Sequence, residues 1–177
     1  MNSPTINQIR YSFTTTTLGL LCVGQTSRGV CAVVFGDDQK LMLDDLAGRF
    51  AGAELIPGDC DNQAVAEQIA RRVESPNGQC PSIPLDISGT AFQKAVWEIL
   101  RQIPVGALTS YSEVANRLGR PTAVRAVAQA CGANPISVLI PCHRVVAKNA
   151  ALTGYRWGLE RKSSLLQREQ EAVGGKV

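Results

Sequence analysis

The first half of the chain alternates apolar runs with turn-forming residues, a pattern typical of a small α+β domain. Two β-prone runs within 18–36 flank Gln25–Gly29, which predicts a β-hairpin. Helices are predicted next over 40–50 and 62–74, because apolar residues recur there at helical spacing. These positions are Leu41, Leu43, Leu46, Ala47 and Phe50 in the first helix, and Val65, Ile69 and Val73 in the second.

A loop-forming stretch then divides the chain. Residues 75–84, SPNGQCPSIP, combine prolines with Asn77–Gly78, and both interrupt regular structure. The short apolar segment 85–88 is predicted to add a closing strand. We therefore expect an α+β domain over 1–84, a small sheet with helices, and a second domain over 85–177.

The second half has the spacing of helices. Thr90 with Gln93 and Ser110 with Glu113 are spaced as capping boxes, which predicts helices starting at both points. A turn near Gly119 and a helix of small residues over 122–134 follow. This order is typical of a helix-turn-helix, although a plain packed helix pair has the same pattern. A last helix is predicted from about Leu159.

Composition and charge narrow the class of protein. The chain has 177 residues, of which 45% are hydrophobic and 19% charged, as in globular proteins. Residues 1–88 hold 6 Lys and Arg against 10 Asp and Glu, a net charge of −4, whereas residues 89–177 hold 12 against 5, a net charge of +7. A basic half of this size favours a polyanionic partner, although ordinary charge scatter is the competing interpretation.

Six cysteines raise the question of disulfides or metal. They are Cys22, Cys31, Cys60, Cys80, Cys131 and Cys142. The N-terminus lacks a secretion signal, so we expect free thiols and a cytoplasmic location. No C-x-x-C spacing occurs and His143 is the only histidine, so no zinc site is expected. No apolar stretch reaches 18 residues, so no membrane span is expected either.

The candidate chemistry lies in ISVLIPCHRVV (136–146), an apolar run expected to be extended. It places Cys142 beside His143. A histidine can take the proton of a thiol and so activate it as a nucleophile. Neighbouring side chains of a strand point to opposite faces, so contact would require a bend at Pro141 or a bridging water. On the dipeptide alone, a structural cysteine beside a core histidine is the better interpretation.

A resemblance favours the chemical interpretation. PCHRV (141–145) resembles the active-site signature of the O6-alkylguanine-DNA alkyltransferases, or methylated-DNA–protein-cysteine methyltransferases. The similarity extends over 89–146 and over GYRWGLERKSSLLQRE (154–169), and the first 80 residues resemble the family's variable N-terminal domain. RGVCAVVFGDD (28–38) together with GYRWG is closest to the family's Ada-type subgroup. The resemblance implies a ribonuclease H-like fold for the first domain and an active-site cysteine in the helical second one.

The resemblance also implies a reaction and a set of catalytic side chains. Cys142 would accept the alkyl group from O6 of guanine, and from O4 of alkylated thymine, irreversibly and without a cofactor. His143, acting through a water, would be the base, and Glu169 its acidic partner. Asn134 would organise the turn around the thiol. Tyr111 would help to displace the nucleotide and protonate the departing guanine.

The implied partner is double-stranded DNA that carries O6-alkylguanine, bound through its minor groove by a monomer. Arg125 would enter the base stack when the damaged base is flipped out. Val145 and Tyr155 would form the base pocket, and Arg156, where some relatives carry serine, leaves the pocket width open. The remaining DNA-binding positions are Tyr111, Ser112, Thr122, Ala123 and Ala126. Two alternatives remain: a DNA-binding or transcription-regulating protein without transfer chemistry, and a Cys-His hydrolase.

Overall fold

A computed structural model describes residues 6–78, 81–149 and 151–174. The first half forms a four-stranded sheet in the order β3-β2-β1-β4, where β1 pairs antiparallel with β2 and parallel with β4. Helices α1 and α2 pack on this sheet. The elements are β1 (Gln8–Thr16), β2 (Gly19–Thr26), β3 (Gly29–Gly36), α1 (Gln39–Arg49), β4 (Glu54–Pro57) and α2 (Cys60–Glu74).

The hairpin and both helices of this half are confirmed, with three differences. The hairpin turn is only Ser27–Arg28, because the strand pairing extends as far as Thr26 and Gly29. The predicted closing strand is reduced to one bridge between Leu85 and Val30. Leu41 is 67% exposed, since Met42 and Leu46 form the buried side of α1.

The second half is mostly helical. Its elements are α3 (Ala91–Arg101), β5 (Thr109–Ser110), α4 (Tyr111–Arg117), α5 (Val124–Gly132), a 3₁₀ turn (Cys142–Arg144), β6 (Val145–Val146) and α6 (Leu159–Ala172). Both predicted capping boxes form, at Thr90 and at Ser110. Helix α5 begins later than predicted, after Ala123, and no side chain caps it. Thr122 and Ala123 therefore precede the helix.

The two halves share one hydrophobic core and are also joined by polar contacts. At the edge of the sheet, Val33 N–H donates to the Pro135 carbonyl at 2.9 Å. Three arginines of the basic half pair with carboxylates of the acidic half. These pairs are Arg156 with Asp45 at 2.5 Å, Arg161 with Asp37 at 2.6 Å, and Arg168 with Glu74 at 3.0 Å. The molecule is an α+β protein whose charge asymmetry is partly matched internally.

Some expectations concern absences or residues outside the described part. Among the described residues, no helix is long and apolar enough to span a bilayer, and no cluster of His, Cys, Asp or Glu could hold a metal ion. The described cysteines are free thiols. Cys80 lies outside the described residues.

Candidate active site

Cys142 lies in a tight turn at the centre of the second half. The expectation of an extended segment is wrong at this point, since Cys142–Arg144 forms a 3₁₀ turn that starts directly after Pro141. Proline has a fixed φ, here −79°, and Cys142 N–H donates to the Ile140 carbonyl at 2.8 Å. The turn supplies the bend at Pro141. Cys142 is only 5% exposed and lies in the core.

Asn134 holds this turn with both ends of its side-chain amide. Its Nδ2 donates to the Ile140 carbonyl at 2.8 Å and to Cys142 Sγ at 3.2 Å, and its Oδ1 accepts from Ile136 N–H at 2.9 Å. The side chain is fully buried. The turn it spans includes Val138, which has a φ of 70°, a conformation that costs a β-branched residue roughly 1–3 kcal/mol. The arrangement agrees with the organising role that the resemblance implies for Asn134.

His143 and Glu169 form a buried pair beside the thiol. His143 Nε2 and Glu169 Oε1 are 2.7 Å apart, and both side chains are almost completely shielded from solvent. A carboxylate at this distance accepts the hydrogen of Nε2, so the neutral ring carries its lone pair on Nδ1. Nδ1 is buried, and among the described residues it has no hydrogen-bond partner. The ring is therefore set up with a free basic nitrogen.

Arg144 is a second partner of Glu169, and the sequence reasoning missed it. Its Nε lies 2.9 Å from Oε2 and its Nη2 lies 2.8 Å from Oε1, a bidentate geometry. Its Nη1 donates to the Ile103 carbonyl at 2.5 Å. The arginine follows His143 in the chain and the 3₁₀ turn brings it back to the same carboxylate. Its charge balances that of the buried Glu169.

Tyr111 and Tyr155 lie at two sides of the thiol region. Tyr111 O–H donates to the Thr153 carbonyl at 3.3 Å, and Tyr155 shares a 2.8 Å hydrogen bond with Ser137. Val145 is buried in β6, where it pairs with Thr109 of β5, just before α4. The structure therefore shows two pairs in direct contact, Asn134 with Cys142 and His143 with Glu169, which the Cys142–Arg144 turn joins through the backbone. Tyr111 binds the Thr153 carbonyl and Tyr155 binds Ser137.

The residues expected to bind DNA lie on or just before α4 and α5. They do not lie on the turn that holds Cys142 and His143, or on α6, which holds Glu169. Arg125 and Thr122 are exposed, whereas Ser112, Ala123 and Ala126 are half-buried. In the described part of the chain, the Arg125 guanidinium has no hydrogen bond or ion pair. An exposed arginine on α5 without these contacts is available to a partner.

Lys162 is the other residue that the sequence reasoning missed. It is completely buried on α6, and its Nζ donates to the Val145 carbonyl at 2.7 Å and to the Thr153 carbonyl at 2.8 Å. A signal was available in the sequence. Lys162, Leu165 and Glu169 follow helical spacing on one face, so a predicted inward position for Glu169 also predicts one for Lys162.

Burial and charge shift the pKa values of the three reactive groups. Burial raises the pKa of the Cys142 thiol, against the opposing effects of the Asn134 hydrogen bond and the Lys162 charge. Burial lowers the pKa of His143, although the Glu169 carboxylate opposes this. Burial alone would raise the pKa of Glu169, but His143 and Arg144 lower it to about 2. At neutral pH the resting site holds a neutral thiol, a neutral imidazole and a carboxylate.

These shifts predict a loss of stability in acid. The pKa of His143 is below its unfolded value of 6.5, so the free energy of unfolding falls as the pH drops below 6.5. Glu169 adds a second loss between its usual pKa of 4.5 and about 2, worth at most about 3 kcal/mol. Urea unfolding between pH 7 and pH 3 measures both losses. Glu169→Gln should flatten the curve below pH 4.5, and the exposed Glu171→Gln on the same helix should not.

Comparison of the sequence with known proteins supports the interpretation of the Cys142 region as an active site. The family model described as "6-O-methylguanine DNA methyltransferase, DNA binding domain" matches residues 91–171, the segment that contains the whole site. The inducible methylated-DNA–protein-cysteine methyltransferase of Bacillus subtilis is 44% identical over 154 residues, which are 85% of this chain and 84% of that protein. The chain belongs to the methylated-DNA–protein-cysteine methyltransferase family.

Two further comparisons place the chain within this family. The bifunctional transcriptional activator and DNA repair enzyme Ada of Escherichia coli is 43% identical over 92% of this chain. The chain covers 46% of Ada, so it spans about half the length of that relative. A crystal structure of Mycobacterium tuberculosis OGT in complex with DNA superimposes with a TM-score of 0.76 at 30% identity, covering 93% of this chain and 94% of that one.

Proposed function

We propose that the chain repairs alkylated DNA by transferring the O6-alkyl group of guanine to Cys142, once per molecule. Family membership supports this reaction. The observation that carries it is the arrangement of Cys142 in a turn held by Asn134, with His143, the next residue of that turn, hydrogen-bonded to the Glu169 carboxylate. Alkylated thymine is included as a second substrate. No cofactor is involved, because the thiol is itself the acceptor.

The proton and electron movements balance without a further reactant. The thiol proton passes through a water to His143 Nδ1, the ring nitrogen with no protein partner. Glu169 accepts the Nε2 hydrogen and stabilises the imidazolium. The sulfur forms a bond to the alkyl carbon as the carbon–O6 bond breaks. The electron pair of the carbon–O6 bond stays on the guanine. Tyr111 protonates that guanine, which leaves more easily as a neutral base, and the proton held by His143 then returns through solvent to the Tyr111 oxygen.

We further propose that α4 and α5 act as a helix-turn-helix that lies in the minor groove of duplex DNA. Arg125 fills the gap in the base stack, and Tyr111 and Ser112 support it from the start of α4. The small or short side chains of Thr122, Ala123 and Ala126 suit close approach to the groove. Val145 and Tyr155 form the pocket for the flipped base. The exposure of Arg125 supports this placement.

We also propose a ribonuclease H-like fold for 1–84 and a catalytic and DNA-binding unit over 85–177. The protein is proposed to be a monomer and to be located in the cytoplasm. The mixed four-stranded sheet with two helices supports the first of them. Three arginine–carboxylate pairs join the two halves of the chain.

Mass spectrometry after incubation with DNA containing O6-methylguanine tests the proposed function. We expect one added methyl group per chain, on the peptide that contains Cys142, and no further uptake when fresh DNA is added. Binding without any adduct would indicate a damage-binding protein instead. Repeated turnover on an amide or peptide would indicate a hydrolase.

A further inference from the structure

The turn that follows helix α3 is bound to helix α6 through both polar groups of one residue, Gly106. Ala107 N–H closes this turn by donating to the Pro104 carbonyl at 3.2 Å. Gly106 N–H donates to Glu169 Oε2 at 3.3 Å, and the Gly106 carbonyl accepts from Gln170 Nε2 at 2.7 Å. Two consecutive side chains of α6 therefore fix the two peptide groups that flank the Gly106 Cα.

Glycine is required at this position of the turn. Gly106 has a φ of 77°, which residues with a Cβ rarely adopt. A Cβ built there would lie 2.7 Å from Val173 Cγ2, closer than such atoms approach in real contacts. Glycine also has the largest backbone freedom of any residue, so its conformation depends on contacts supplied from outside the turn. Helix α6 supplies those contacts.

Gln170 makes the closer of the two contacts with the turn. Its bond to the Gly106 carbonyl is 2.7 Å long, against 3.3 Å for the bond from Gly106 N–H to Glu169. Glu169 Oε2 is also shared with Arg144 Nε, which lies 2.9 Å away. The Gln170 side chain is neutral, and within the described residues it has no hydrogen bond to Cys142. Its effect on the reaction would therefore pass through Gly106.

The segment that leaves this turn carries Tyr111. Four residues separate Gly106 from Tyr111, and the last two of them form β5, which pairs in parallel with β6 directly after the Cys142 turn. The segment is therefore held at one end by β6, next to the acceptor thiol, and at the other end by α6 through Gly106. Because the connection is short, a displacement of Gly106 is passed on to Tyr111.

We propose that Gln170 is a positioning residue of alkyl transfer, which holds Gly106 so that the Tyr111 hydroxyl meets the departing guanine. The inference rests on the proposed function, in which Tyr111 protonates that base as the carbon–O6 bond breaks. Proton transfer requires donor and acceptor heavy atoms within about 2.6–3.2 Å of each other. A misplacement of about 1 Å, caused far from the reacting atoms, can slow a reaction about 100-fold. A side chain that fixes the Tyr111 segment therefore affects the rate.

The test compares Gln170→Met with Gln167→Met, at two positions of the same helix. Methionine keeps the length and helix preference of glutamine but cannot donate a hydrogen bond. Gln167 is exposed and donates to Glu171 on α6 itself. At saturating O6-methylguanine DNA, we expect Gln170→Met to slow single-turnover methyl transfer about five- to tenfold, the effect of one lost hydrogen bond. Gln167→Met should keep the unaltered rate, and Gln170→Lys, which retains a donor, should recover most of the lost rate.

Two further readouts separate the positioning of Tyr111 from a general structural effect. Alkylation of Cys142 by iodoacetamide has no guanine leaving group, so its rate and pH profile should be the same in Gln170→Met and in the unaltered chain. In a Tyr111→Phe background, Gln170→Met should cause no further loss of methyl transfer, because the hydroxyl that it positions is absent. A folded Gln170→Met protein with the unaltered transfer rate would overturn the proposal. A slower iodoacetamide reaction, or an additive loss in the Tyr111→Phe background, would overturn it too.

Hydrogen exchange of residues 103–111, followed by mass spectrometry, tests the Gly106 contact without DNA. We expect faster exchange in Gln170→Met than in Gln167→Met, because the turn loses its closer contact with α6 and opens more often. Equal exchange in the two variants would contradict the proposal. Absence of methyl transfer in the unaltered chain would instead overturn the proposed function, so the two failures are distinguishable.

Discussion

Cys142→Ala is expected to abolish methyl transfer from O6-methylguanine DNA completely while leaving duplex binding within about threefold, a change of less than about 1 kcal/mol. Alanine removes the acceptor sulfur, and no other group in the turn can form a stable thioether. The fold should survive, because Asn134 keeps its contacts with Ile140 and Ile136 when Sγ is lost. Transfer of isotopically labelled methyl to protein and fluorescence anisotropy with the same duplex measure the two effects.

The matched control is Cys60→Ala, which removes an exposed thiol at the start of α2. This variant should accept one methyl group at the rate of the unaltered chain. Methylated protein in the Cys142→Ala sample would place the acceptor at another residue. Loss of DNA binding together with transfer would show that Cys142 also supports the binding surface, and the assignment of separate roles would then be wrong.

The helices of this chain could be predicted because their signals are local. A capping box such as Thr90–Gln93 satisfies backbone donors within one turn, so its effect does not depend on the rest of the fold. The hairpin is similarly specified by two apolar runs and a short turn. The sequence alone does not determine which side of α1 faces the core. Leu41 and Met42 are both apolar, and only packing decides which of them is buried.

Strands β1 and β4 could not be predicted, for the opposite reason. Strand β1 is QIRYSFTTT, whose apolar residues are few, and it is stabilised by pairing with strands on both sides. Its partner β4 is four residues long and lies about forty positions away in the chain. Pairing between distant segments leaves little trace in either segment alone. The 3₁₀ turn at Cys142 was missed because apolar residues around it match an extended strand equally well.

Some residues of the candidate site could likewise be predicted from the sequence, and others could not. Cys142, His143 and Asn134 lie within nine positions, and the resemblance identified them together with Glu169. The bidentate contact of Arg144 with Glu169 and the inward position of Lys162 depend on how α6 packs against the turn. From sequence alone, a basic residue is expected to be exposed to solvent. Lys162 is buried and Arg144 is only partly exposed, because each binds polar groups that no single segment contains.

In the folded protein, part of the positive charge of the second half is paired with carboxylates. Its net charge of +7 suggested a polyanion, yet Arg156, Arg161 and Arg168 pair with carboxylates of the first half. These three charges have partners within the chain. The positive charge available to DNA is therefore smaller than the sequence total, and the exposed Arg125 on α5 becomes the most specific candidate.

Arg125→Ala is expected to slow methyl transfer from duplex DNA by about 10- to 100-fold, which corresponds to roughly 1.4–2.8 kcal/mol. Extruding a base costs a few kcal/mol, and a side chain that fills the gap offsets part of this cost. Reaction with free O6-methylguanine needs no extrusion, so its rate should stay within about twofold, since Arg125 has no contact with the buried site. Single-turnover kinetics on both substrates measure the ratio directly.

Arg71→Ala is the matched control, because Arg71 is an exposed arginine on α2 in the other half of the chain. It should change neither rate, and its ratio of duplex to free-base reaction should equal that of the unaltered protein. Weaker DNA binding alone would be overcome at saturating protein, whereas a flipping defect persists there. An equal loss on both substrates would assign Arg125 to the structure of the site, and a loss that disappears at saturation would assign it to phosphate contact.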